Sequence, residues 1–202
     1  RHVSALDIKF AGQLGYTIKL LGIIKRVEGR GTRGEGQKSK GCHAQVSVYP
    51  TLVPNAHVLA SVNHVFNAVF VRGDVVGDTL FYGRGAGKDA TASAVLSDLA
   101  DAALDLKFGT KHRVPPFVPH ERNGAVIPIE EIVSQYFVRL NVVDKPGVLA
   151  KIAAIFGAAK IGISSVIQPE GHEGESVPLI LMLHDAPNAA MRKALDKISK
   201  LP

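Results

Sequence analysis

Gly77–Leu106, GDTLFYGRGAGKDATASAVLSDLADAALDL, decides how the first half of the chain folds. Its apolar run Thr79–Tyr82 predicts a strand that meets three alternate glycines, Gly83, Gly85 and Gly87, with a helix opening near Thr91. Such a loop lacks Cβ bulk, and the helix start behind it leaves backbone N–H groups unpaired at the positive end of a dipole. That arrangement favours anions. The same letters also fit a tight strand-to-helix turn that holds no ligand. Two stronger fingerprints fail. A dinucleotide-binding G-x-G-x-x-G needs a third glycine where Lys88 stands, and a P-loop needs four residues before its Gly-Lys pair where only three precede Gly87-Lys88.

Downstream, Val95, Leu99, Ala102 and Leu106 repeat at helical spacing and predict a buried face. Asp98, Asp101 and Asp105 lie together on another side. No histidine or cysteine joins them, so a solvated surface is expected there and no metal. Upstream, Gly73-Asp74 separates two β-like runs. The expectation is an antiparallel pair, Asn67–Val71 with Val75–Tyr82, and Asp74 as a turn residue.

The 202 residues suit one large or two small domains, and 46% apolar content lies well above the disordered regime. The excess of 24 basic over 18 acidic side chains gives +6, much of it in Lys25–Lys40. A single cysteine, Cys42, excludes an internal disulfide framework and fits a reducing cytoplasm. No run approaches the ~18–20 apolar residues of a membrane span, so no membrane is expected. The chain opens at Arg1, which reads as a cut.

Ser4-Ala-Leu-Asp7 is a capping box for a helix to about Leu14, with Leu6, Phe10 and Leu14 buried and Gly15 just past its end. Tyr16–Lys25 is a strand. The glycine-rich basic segment Arg26–Gly41 is expected to be a mobile loop; its P-loop-like letters are one residue too long, and without interleaved aromatics it predicts no nucleic-acid partner. His43–Tyr49 alternates as a half-buried strand, and Val58–Asn67 is a turn or short helix. Residues 109–133 carry Pro115, Pro116, Pro119 and Pro128 and read as a linker, with His112 and His120 as surface residues.

Beyond it the pattern is regular. Tyr136–Val143 alternates with Arg139 and Asn141 on one side. Asp144-Lys-Pro-Gly147 follows, placing Pro146 in the first turn of a helix whose stripe is Val148, Leu149, Ile152, Phe156 and Ala159. Ile163–Gln168 and Val177–His184 are strands, and Asn188 can cap a last helix with Met191, Leu195, Ile198 and Leu201 inside. The fold class is therefore α+β: a mixed or antiparallel sheet with helices on one face over 1–108, then, over 134–202, a ferredoxin-like βαββα(β) domain whose last strand is missing.

Asp144-Lys-Pro-Gly147-Val-Leu-Ala-Lys-Ile152 with Ile163-Ser-Ser-Val-Ile-Gln168 resembles the ACT family of amino-acid-sensing modules. Free N–H groups at that helix start can take a carboxylate while Asp144 or Asn141 accepts from the ammonium. The resemblance implies a regulatory site at Asn141, Asp144, Pro146, Gly147 and Gln168. The same sheet without a ligand, serving oligomers, stays open.

Ile18-Lys-Leu-Leu-Gly-Ile-Ile-Lys25, Tyr49-Pro-Thr-Leu-Val-Pro54, Val65-Phe-Asn-Ala-Val-Phe-Val71, Phe81-Tyr-Gly-Arg-Gly-Ala-Gly87 and Thr91-Ala-Ser-Ala-Val95 occur in that order. Their succession resembles bacterial homoserine dehydrogenase. It implies an NAD(P)-linked oxidoreductase interconverting aspartate semialdehyde and homoserine, threonine as effector, a homo-oligomer, and cofactor contact at Gly87 and more weakly at Gly85 and Ala86. The family's nucleotide-binding half and its substrate-handling lysine and acidic groups are expected before Arg1. No catalytic residue is assigned here, Lys19 and Lys25 included, and the chain alone is expected to be inactive. The alternative is a non-enzymatic amino-acid sensor.

Overall fold

The computed structural model describes residues 3–27, 43–110, 126–169, 171–172 and 174–201. Most of the basic segment, Cys42, His112 and His120 lie outside the described residues. The fold is α+β, with small antiparallel sheets and four helices among the described residues.

Helix α1 (Ala5–Gln13) begins at the expected capping box. The Asp7 carboxylate accepts the Ser4 N–H at 2.8 Å and the Ser4 hydroxyl at 2.6 Å, and the Asp7 N–H reaches Ser4 Oγ at 3.3 Å. Gly15, at φ +83°, releases the chain into β1 (Tyr16–Val27), which pairs with β2 (His43–Pro54). Both strands run past their predicted ends.

The chain groups into two compact units. One gathers the described residues of Arg1–Ala11, Leu20–Leu52 and Asn123–Pro202; the other gathers those of Gly12–Lys19 and Val53–Arg122.

In the second unit a 3-10 turn (Val58–Ser61) is capped by His57, whose Nδ1 accepts the Leu59 N–H. Strand β3 (Phe66–Arg72) then pairs antiparallel with β4 (Asp78–Arg84), Phe66 opposite Arg84 and Arg72 opposite Asp78. The pairing is the expected one, but the connection is longer than a two-residue hairpin. Residues 73–77 form the loop, closed by Gly73 N–H to Gly77 O at 2.9 Å, so Val75 and Val76 leave the strand and stand exposed. Helix α2 (Lys88–Phe108) opens three residues before Thr91, because Gly87 at φ +116° already turns the chain. Its predicted buried face is not buried: Val95, Leu99 and Leu106 are 59%, 65% and 85% exposed, and no residue of the helix is buried. Nothing among the described residues covers that stripe.

In the first unit Val126 bridges Ala44, and a 3-10 turn (Ile129–Glu131) leads to β5 (Val133–Val143), which starts three residues earlier than predicted. Helix α3 (Val148–Ala158), β6 (Ile163–Ile167), β7 (Ser176–Pro187) and α4 (Asn188–Ile198) complete it. The strand order is β5-β7-β6, antiparallel throughout. As the central strand, β7 carries the near-continuous apolar run Leu179–Leu183 and buries both faces. Leu179, Leu181 and Leu183 meet Ile152, Phe156, Met191 and Ala194 in one core, where each large side chain contributes roughly 1.5–3 kcal/mol. Asn188 does not cap α4. Pro187 holds that position, and the Asn188 N–H is spent on Ile132 O at 2.9 Å.

Candidate functional site

The end of β5 builds an open concavity. After Val143 the chain turns through Asp144-Lys-Pro-Gly147, and Gly147 sits at φ +87°, a left-handed conformation that glycine adopts without strain. Helix α3 starts at Val148, so Pro146 precedes its cap instead of occupying its first turn. The cap residue Gly147 offers no side chain, the Val148 N–H turns back to Lys145 O at 3.3 Å, and the first-turn N–H groups after it are directed out of the helix end. Asp144 is fixed from two sides. Its backbone exchanges 2.8 Å bonds with Glu175 O and the Gly174 N–H, and its Oδ1 accepts the Gln168 amide at 2.8 Å.

Between these elements lies a cavity of about 420 Å³ lined by Val142, Val143, Asp144–Leu149, Gln168 and Leu179. Four of the five residues picked from the sequence, Asp144, Pro146, Gly147 and Gln168, come together there. Asn141 does not line it: strand alternation turns its side chain to the face opposite Val142, beside Arg139. The apolar walls Val142, Leu149 and Leu179 were not singled out from sequence, since they read only as core. A carboxylate acceptor, helix-start donors and apolar walls match a small zwitterion with a short side chain.

The second candidate is the Gly83–Gly87 turn. The Gly85 N–H bonds Val65 O at 3.2 Å, and a Cβ built on Gly85 would meet the carboxamide of the exposed Asn67 side chain, which would have to turn aside. Gly83 and Gly87 open onto free space. The start of α2 has no side-chain cap, and Thr91 returns its hydroxyl to Gly87 O at 3.0 Å. Asn67 is the residue here that sequence reasoning passed over. Its signal was its position opposite Gly83 in the hairpin. Phe66 stacks on Tyr82 with centroids 4.9 Å apart, and the Arg84 guanidinium lies 5.8 Å over Phe66.

Lys19 is engaged structurally: its ammonium donates to Val62 O at 2.5 Å and Asn63 Oδ1 at 2.7 Å. Among the described residues no three metal-binding side chains cluster, and no helix is long and apolar enough to cross a membrane.

A family model described as homoserine dehydrogenase matches residues 1–100. The homoserine dehydrogenase of Pseudomonas aeruginosa is 39% identical over 186 residues, covering 90% of this chain and 40% of that protein. That of Neisseria gonorrhoeae is 36% identical over 198 residues, covering 96% and 42%. The chain belongs to the homoserine dehydrogenase family. The crystal structure of a homoserine dehydrogenase from Thiobacillus denitrificans superposes with a TM-score of 0.79 at 36% identity, over 98% of this chain and 42% of that one. The chain therefore spans about two fifths of the length of these relatives.

Proposed function

We propose that this chain is the C-terminal portion of an NAD(P)-dependent homoserine dehydrogenase that interconverts aspartate semialdehyde and homoserine in threonine and methionine biosynthesis. Residues 1–108 form the substrate and dimerisation domain, 109–133 the linker, and 134–202 an ACT domain through which threonine exerts feedback. The observation that carries the regulatory half is the cavity closed by Asp144, Gly147 and Gln168 at an uncapped helix start. The order β-α-β-β-α with sheet order β5-β7-β6 supports the domain assignment, being that of the first three strands of a ferredoxin-like sheet. In this reading the N–H groups at the start of α3 take the amino acid's carboxylate, Asp144 takes its ammonium, and Gln168 holds Asp144 in place.

The cofactor-facing half rests on Gly85, Ala86 and Gly87. Open space over Gly87 and the uncapped start of α2 fit a nicotinamide dinucleotide. When bound, that cofactor supplies the hydride chemistry, while this chain contributes a wall. The exposed stripe of α2 supports a role as one part of a larger, homo-oligomeric assembly.

Calorimetry of the chain with L-threonine tests the regulatory half; absence of heat and of thermal stabilisation with any amino acid overturns it. Mixing the chain with NADPH and aspartate semialdehyde tests the other, and turnover by this chain alone refutes its inactivity. A non-enzymatic sensor remains the second reading, favoured by a cavity built wholly from residues 142–179. The two separate on NADPH: a sensor leaves the Gly85 and Gly87 amide resonances unmoved.

A further inference from the structure

We propose that the Asp7–Arg139 pair couples the cavity at the end of β5 to helix α1, so that an amino acid bound there is registered in α1. This rests on the effector reading above and extends it to a named route.

One carboxylate performs two tasks. Asp7 Oδ2 closes the capping box of α1 by accepting the Ser4 N–H and hydroxyl. Its Oδ1 accepts Arg139 Nε at 2.6 Å, and Oδ2 takes Arg139 Nη2 at 3.3 Å. The same Nη2 also donates to Ser4 Oγ at 3.2 Å, so a strand residue 132 positions away completes the helix cap. Asp7 is 8% exposed, and few waters are at hand to replace a lost donor. Hydrogen bonds of this kind weaken steeply once distance or angle leaves a narrow range. A displacement of Arg139 by about an ångström therefore weakens the ion pair and the bond to Ser4 Oγ together, and leaves the capping box to Ser4 and Asp7 alone.

Arg139 sits where the cavity can act on it. Val142 and Leu140 belong to the α3–α4 face of β5, whereas Arg139, Asn141 and Val143 share the opposite face. Val143 lines the cavity and follows Arg139 by four residues, roughly 13 Å along a strand. Arg139 is also paired across the sheet with Ile180, next to the cavity-lining Leu179. Arg139's own strand and its neighbour β7 thus both contribute cavity wall. A ligand that orders Val142–Gly147 restrains the strand that carries the guanidinium, and packed elements answer such restraint by discrete shifts.

The test is hydrogen exchange of the Ala5–Gln13 amides, measured on the whole chain with and without saturating L-threonine and paired with calorimetry. In the native chain threonine slows α1 exchange fivefold or more, the low end of ordinary coupling. D7N and R139K still bind threonine, but their α1 response falls below twofold. By reciprocity their threonine affinity drops by the factor lost. R139K keeps the charge and loses the planar fork, so it guards against loss of fold in D7N. Exchange at Ile152 and Phe156 reports core integrity, which a purely structural defect would move and a coupling defect leaves alone. Threonine binding with unchanged α1 exchange in the native chain overturns the proposal. So does a full α1 response in both variants. If no amino acid binds at all, the effector reading falls first and this coupling falls with it.

Discussion

Acid stability offers the sharpest check on the folded arrangement. Asp7 sits under the Arg139 guanidinium, whose hydrogen bond is the largest influence on it, and Ser4 adds two more donors; burial works the other way. The net result lowers its carboxyl from 3.8 to about 2. Because the folded value lies below the unfolded one, the associated stability is complete above pH ~3.8 and is lost as pH falls towards 2. At ~1.4 kcal/mol per tenfold change in proton affinity, the contribution is about 2 kcal/mol. That share is large for a domain whose total stability is ~5–15 kcal/mol. Urea midpoints taken from pH 6 to pH 2 on the native chain and on D7N give the measurement. Other carboxylates titrate in both proteins, so the difference between the curves isolates Asp7. It should be about 2 kcal/mol at pH 6 and shrink towards zero near pH 2. A gap that stays constant over the whole range would mean that Asp7 acts by shape and not by charge, and the reasoning would fail.

Three further outcomes follow from single sites. Helix α3 ends in two tail bonds, Ile161 N–H to Phe156 O and Lys160 N–H to Gly157 O, both 2.9 Å, with Lys160 at φ +58° in the position glycine prefers. Lys160→Gly should therefore raise stability by ~0.5–1 kcal/mol, the left-handed penalty less glycine's greater freedom when unfolded; a lower melting temperature would contradict this. The Tyr136 hydroxyl is buried with no hydrogen-bond partner among the described residues, so Tyr136→Phe should be neutral or stabilising by up to ~1 kcal/mol in urea unfolding, and a loss above that would reveal a partner. Gly85→Ala should cost only ~0.5 kcal/mol because its Cβ displaces the exposed Asn67 side chain, and Asn67→Ala in the same chain should recover most of it. Additive losses in that double variant would show that the two residues do not interlock.

What could be read from the letters, and what could not, divides along the range of the interaction. The capping box at Ser4–Asp7, the β3–β4 pairing and the β-α-β-β-α order are written in spacings of a few residues, and each is found in place. The turn at Asp144–Gly147 was legible for the same reason. Gly147 adopts the left-handed conformation, and the helix follows at once. Asp7 shows the limit. Its role in the cap is local, but its partner Arg139 is 132 residues away, and nothing in either neighbourhood announces the other. Asn188 fails differently: it is a good cap by type, yet Pro187 takes the cap position and Asn188 becomes the first helical residue, its N–H bonded to Ile132 O. The stripe of α2 is the most instructive case. Periodicity correctly marks Val95 and Leu99 as one apolar side, but it states a demand for cover and not the identity of the cover. Exposed among the described residues, that side leaves the glycine turn in front of it against Val65, just before β3, and Asn67 of β3. Whatever packs on α2 would thus brace the turn from a second direction. The cofactor contact proposed at Gly87 should consequently be weaker in this chain by itself than in an assembly that buries α2.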